Sequence, residues 1–252
     1  MNQLALSFAP SSGGRTVLAE RKAGYPFSVT TPISRKDGAA QLTLQSISGG
    51  LYGGECITQH IHVRPGASAR LIQPTATTVR RADTTPARQS IRLEAGENAA
   101  LVYAARPLIM LPGAALAQDW EIILAQGARL MFWDAFVSHS PNGETPAWSL
   151  TSRVNLRAAN GSLLAAERIA VKGAELGEGF QGVVGDFSAF GKFWRLGPGP
   201  VENPVRSLEN IQNGFTRLPG EAGCVIALAA RDGGALCAAM ETILNRFEEM
   251  SP

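Results

Sequence analysis

Histidine and cysteine are the scarce residues of this chain, three of each in 252 positions. The cysteines, Cys56, Cys224 and Cys237, stand at unrelated spacings, which excludes a disulfide framework and a Cys-x-x-Cys metal knuckle and points to a reducing compartment. With histidine only at 60, 62 and 139, imidazole acid–base catalysis and histidine-rich metal centres have little to draw on. A Gly-x-Ser-x-Gly elbow, a His-Glu-x-x-His pair and a Gly-x-x-x-x-Gly-Lys phosphate loop are all missing. So is a charge excess: 23 Lys and Arg face 21 Asp and Glu, a net +2, with the basic residues scattered, so neither nucleic acid nor an anionic membrane is expected as a partner. The longest apolar region, Ala99 to Ala117, is broken by Arg106, Pro107 and Pro112, and cannot supply the ~20 uninterrupted apolar residues of a bilayer span. Met-Asn-Gln-Leu lacks the basic opening of a secretory leader and soon meets Pro10, so a cytoplasmic protein is expected.

What remains is a globular composition, 45% hydrophobic and 17% charged. Without an internal linker, residues 1–252 read as a single domain. Through the first two thirds, short runs alternate apolar and polar residues between glycine-containing turns, the pattern of antiparallel strands. Ile57 to Val63 precedes Pro65-Gly66-Ala67, Ser90 to Leu93 precedes Gly96-Glu97-Asn98, Trp120 to Leu124 precedes Gly127-Ala128, and Thr151 to Leu156 precedes Asn160-Gly161. The turn glycines at 66, 96, 127 and 161 recur at intervals of 30, 31 and 34 residues. This spacing predicts a mainly β fold of stacked antiparallel hairpins, a superhelix or solenoid, each glycine supplying the positive φ of its turn. Beyond Lys172 a Gly-rich, aromatic-bearing stretch, Gly177 to Gly199, reads as loop or irregular strand, and Cys224 to Ala229 as a buried strand. Leu236, Met240, Ile243, Leu244 and Phe247 then share one helical face, which predicts an amphipathic helix over 234–249.

Three local patterns bear on chemistry. Gly49-Gly50-Leu51-Tyr52-Gly53-Gly54-Glu55 lacks the Lys-Ser/Thr of a phosphate cradle; its glycine pairs let backbone approach backbone and aim Glu55. Cys56, Thr58, His60 and His62 share strand parity, so they line one face, with Ile57, Ile61 and Val63 on the other. Imidazoles at i and i+2 beside a thiol could bind a borderline metal, but with no carboxylate nearby in sequence to orient them a solvated outer face is the expectation. His139 lies in the polar turn Ser138-His139-Ser140-Pro141-Asn142-Gly143-Glu144.

Taken together, the segment 49–55, the strand and Pro65-Gly66-Ala67 turn after it, and Gln73-Pro74-Thr75-Ala76-Thr77-Thr78-Val79-Arg80-Arg81 resemble the urease accessory proteins of the UreD/UreH type. Those carry a Gly-Gly-x-x-Gly-Gly-Asp segment followed at this separation by a Thr-Thr-Pro-x-Ala-Thr-Lys-x-Tyr-Arg-like segment. Gly13-Gly14-Arg15-Thr16, Trp133-Asp134, Gly143-Glu144, Glu167-Arg168 and Gly214 to Pro219 continue the likeness in order. The resemblance implies a non-enzymatic, β-rich scaffold that binds apo-urease with UreF-like and UreG-like proteins, as a possible homodimer, and helps nickel reach the urease active site. It implies no permanent cofactor and no catalytic residue. Gly49, Gly50, Gly53, Gly54 and Arg81 are then motif positions, and Glu55, Asp134 and Glu144 the candidate carboxylates of a transient nickel path. Thr78 and Arg80 replace the Lys and Tyr of the second segment, and Ala104-Ala105-Arg106-Pro107 replaces a stretch bearing a carboxylate. These departures keep open a paralogue or β-rich binding module with another client, and, in a different class, a small hydrolase or lyase using His139 with Asp134 or Glu144.

Overall fold

A computed structural model describes residues 3–143, 147–177, 184–199, 201–204, 208 and 210–250. The chain opens with an antiparallel hairpin, β1 (Leu4–Pro10) and β2 (Thr16–Ala23), followed by the short strands β3 (Phe27–Val29) and β4 (Ile33–Ser34) beside β5 (Ala40–Ser46). Next come β6 (Cys56–Val63), β7 (Ser68–Gln73) and β8 (Thr77–Val79), then β9 (Ala87–Ala95), β10 (Ala100–Ala105) and β11 (Leu108–Met110), then β12 (Ala115–Leu124) and β13 (Arg129–Ser138). A second hairpin, β14 (Ser149–Ala158) and β15 (Leu163–Lys172), leads through the short helix α1 (Gly173–Gly177) to β16 (Ala189–Leu196), β17 (Ile211–Arg217), β18 (Gly223–Ala230) and the helix α2 (Gly233–Glu249).

Among the described residues these strands form two facing sheets. One runs β15-β14-β12-β9-β6-β1-β2; the larger runs β17-β18-β16-β13-β10-β7-β5-β3, with β4, β8 and β11 on its flank. The mainly β, solenoid-like stack therefore matches the expectation, but its bonding is different. Only the last of the four expected hairpins, β14 with β15, pairs across its own turn. In the other three the turn carries the chain from one sheet to the other, and each strand bonds in parallel to its counterpart one unit away, as β6 does to β9, β9 to β12, β7 to β10 and β10 to β13. Alternation with period 2 reports burial on one face, and is blind to which strand completes the ladder.

The turns also stack. Gly66 N donates to Glu97 O (2.9 Å) and Asn98 N to Gln126 O (3.0 Å). Gly66, Gly127 and Gly161 take the positive φ expected of them, whereas in the middle turn that conformation falls to Asn98 (φ 54°). Gly96 is needed there for another reason: a Cβ would stand 2.7 Å from Pro65 N in the turn below.

The main core fills the space between the sheets, centred on Phe8, Ile61, Leu93, Leu101 and Phe132. A second core lies on the outer side of the larger sheet, where α2 covers it. All five residues of the expected helical face are buried, with Phe247 stacked on Phe193. Asp232 caps the helix, its side chain accepting from Ala235 N at 2.8 Å. The expected buried strand at 224–229 is β18, but the Gly-rich stretch expected to be irregular contains β16, a regular strand inside the larger sheet between β13 and β18. Its apolar residues, Phe193, Trp194 and Leu196, face both cores, so no alternation marks it.

Candidate functional site

A row of polar side chains crosses the otherwise apolar space between the sheets. From the seven-stranded sheet come Gln59, Gln118 and Ser152, each under 5% exposed, at positions whose same-face neighbours are Ile57, Ile61, Leu116, Trp120, Leu150 and Val154. Gln89, Gln118 and Ser152 are register partners on β9, β12 and β14, so three successive strands each contribute one rung. Opposite them the larger sheet presents Tyr103 on β10, Asp134 on β13 and Lys192 on β16, the last two paired in register. Tyr103 donates its hydroxyl hydrogen bond to Gln59 Oε1 at 3.0 Å, and burial raises its phenol well above the ordinary range.

Asp134 is the hub. Ser152 Oγ donates to its Oδ2 at 2.8 Å. The Gln118 amide donates to Oδ1 (3.2 Å) while its oxygen accepts from Trp120 Nε1 (3.1 Å). Burial pushes the Asp134 carboxyl above its usual value, against the opposing effects of the Ser152 hydrogen bond and the Lys192 charge. Burial likewise lowers Lys192, which bonds Glu167 of β15 across the gap between the sheets. Two acceptor oxygens in the row, Gln89 Oε1 and Glu167 Oε2, are buried without a hydrogen-bond partner from the protein. Oxygens in that condition attract water or a cation.

Asp134 also lines two cavities. One, of about 30 Å³, lies among Gln89, Tyr103, Gln118 and Trp133 and has room for about two water molecules. The other, of about 510 Å³, lies among Phe136, Leu150, Val171, Phe190 and Lys192 and reaches Gln212 and Asn213 on the edge strand β17. A carboxylate between two cavities, beside neutral amide and hydroxyl oxygens and a Glu167 carboxylate already bonded to Lys192, can hold a hard or borderline divalent cation transiently, since donors spread along a row do not make a closed cage.

The other expected site residues lie elsewhere. Glu55 Oε2 accepts from Tyr52 N at 2.9 Å and closes the Gly-rich turn ahead of β6. That turn docks on β8 and the chain after it: a Cβ on Gly50 would stand 2.3 Å from Thr78 O and one on Gly53 2.7 Å from Ala82 Cα, while Gly49 lies against the Tyr52 hydroxyl and Gly54 takes φ +81°. The glycine pairs thus bring backbone against backbone, and Glu55 is aimed at the turn itself. Arg81 is exposed and pairs with Asp83 at 3.4 Å. His139 is exposed in the loop after β13. Glu144 lies outside the described residues. No three His, Cys, Asp or Glu side chains converge on one point among the described residues. Sequence reading missed Gln59, Gln89, Gln118, Ser152 and Lys192; the signal was a polar residue at core parity in each of successive strands, such as Gln59 between Ile57 and Ile61.

The family model of the UreD urease accessory protein matches residues 1–251. The chain belongs to the UreD family of urease accessory proteins. It is 34% identical to urease accessory protein UreD 1 of Methylorubrum populi over 99% of this chain and 88% of that one, and 31% identical to UreD 1 of Pseudomonas syringae pathovar syringae over 92% and 85%. UreD of Mycolicibacterium smegmatis is 28% identical over 89% of this chain and 83% of its own. UreD proteins are accessory proteins and not enzymes, which decides against the hydrolase or lyase reading of His139. No helix among the described residues is long and apolar enough to cross a membrane.

Proposed function

We propose that this UreD-family protein is a non-enzymatic scaffold in urease maturation that binds apo-urease together with UreF-like and UreG-like proteins in the cytoplasm, as a homodimer within that assembly, and passes nickel toward the urease active site. The observation that carries the nickel part is Asp134, set between two cavities in a row of buried oxygens. Nickel is cargo here, held through oxygen donors weakly enough to move on. Glu55, engaged as a turn cap, contributes by holding the loop. The test is urease activation, reconstituted or in cells, with Asp134→Asn, which removes the charge and nearly keeps the shape. Activation falling at least about tenfold with urease and UreF-like pull-down and melting temperature intact is the expected result. Full activation by the variant would overturn the interior path, and failure of the wild type to capture either partner would overturn the scaffold.

A further inference from the structure

The outer face of the seven-stranded sheet carries a second group of donors, separate from the inter-sheet row. His60 and His62 stand two residues apart on β6, their rings stacked at 8° with centroids 6.5 Å apart. Glu94 on β9 is the register partner of His62, and its Oε1 lies 3.0 Å from His60 Nε2. Arg92, the register partner of His60, donates through Nε to that same oxygen. Glu94 thus presents to this face a carboxylate that accepts from both an imidazole and a guanidinium.

We propose that His60, His62 and Glu94 form a surface chelate for a borderline divalent transition-metal ion. Two donors about 2.1 Å from one ion and about 90° apart are about 3 Å from each other, which is the separation His60 Nε2 and Glu94 Oε1 already have. An ion there takes the place of the hydrogen between them, and the neutral ring of His60 keeps its one proton on Nδ1. His62 supplies the third donor by turning its half-exposed ring toward Glu94. Same-face residues on a strand are about 6.6 Å apart, within the reach of two imidazoles that lean together. The strand on the other side, β1, leaves room for the turn, because the partners of His60 and His62 there are Ala5 and Ser7. Imidazole with one carboxylate favours nickel, zinc or copper over magnesium or calcium. Cys56, four residues from His60 and so about 13 Å along the strand, takes no part. Farther across the face, Asp119 and Glu121 are engaged by Arg153 (2.7 Å) and Arg157 (2.8 Å), as Glu94 is by Arg92; Glu94 differs from them in having two imidazoles beside it.

This site stands whether or not nickel uses the interior row, and the experiment separates the two. Calorimetric titration of the tag-free full chain with NiCl2, ZnCl2 and MgCl2 is compared among wild type, His60→Gln with His62→Gln, His62→Gln alone, and Asp134→Asn. A site for Ni²⁺ and Zn²⁺ but not Mg²⁺ is expected, weakened at least about tenfold in both histidine variants and kept in Asp134→Asn. His62→Gln leaves the His60–Glu94 bond in place, so it carries the test if the double variant unfolds. With Cu²⁺ as probe, electron paramagnetic resonance should show imidazole nitrogen coupling in wild type and lose it in the double variant. Unchanged affinity in the histidine variants, or no binding by wild type at about 1 mM metal, would mean that His60 and Glu94 are an ion pair and nothing more.

Discussion

Single residues in this protein divide by what their surroundings ask of them. Gly50, at φ +136° with Thr78 O where a Cβ would go, has no substitute; Gly50→Ala should cost about 2 kcal/mol, a fall in melting temperature of roughly 4–8 °C. Glu94 is a carboxylate held low by its partners, so its contribution is present above its ordinary value of 4.5 and is lost as pH falls toward about 2. Glu94→Gln should therefore lower stability by about 1 kcal/mol at pH 7, and the gap to wild type should close as melting curves are taken through that acid range. Asp134 has the opposite sign. Its carboxyl is raised by burial, so the wild type loses stability as pH rises from the ordinary 3.8 through the raised value. Asp134→Asn escapes that loss, and its melting temperature at pH 7 should equal or exceed the wild type's. A variant that melts well below wild type would show that Asp134 is held as a structural ion.

Elements differ in how openly the sequence declares them. The helix α2 was legible to within one residue at its start from its apolar face, while the Asp232 cap that fixes that start emerged only with the structure. Asp232→Ala should cost about 1 kcal/mol, measured by denaturant unfolding. The arches were legible as strands and turns, since Ile57, Ile61 and Val63 face a core whatever they bond to. Their parallel pairing was not, because hydrogen-bond partners one unit away leave no mark on local alternation. β16 was hidden by the two cores it faces. The polar row was hidden by its own dispersal: Gln89, Gln118 and Ser152 are far apart in the chain and meet only through the register.

At the scale of the molecule, the two sheets share one stack of strands whose inner members are bonded on both sides and whose outermost members are not. Hydrogen exchange should accordingly be slowest in β9, β12, β10 and β13 and fastest in β2, β3, β15 and β17, the strands at the ends of the sheet order. Uniform protection across both sheets would contradict that order. The stacked arches also act as a ruler. Gln89, Gln118, Ser152 and Glu167 lie on four neighbouring strands, so their row spans three strand spacings of about 4.8 Å, roughly 14 Å in all. The distance over which this interior can convey anything is thus counted in whole arches: adding or removing one unit of about 30 residues would lengthen or shorten the row by one rung of about 4.8 Å while leaving every other rung in place.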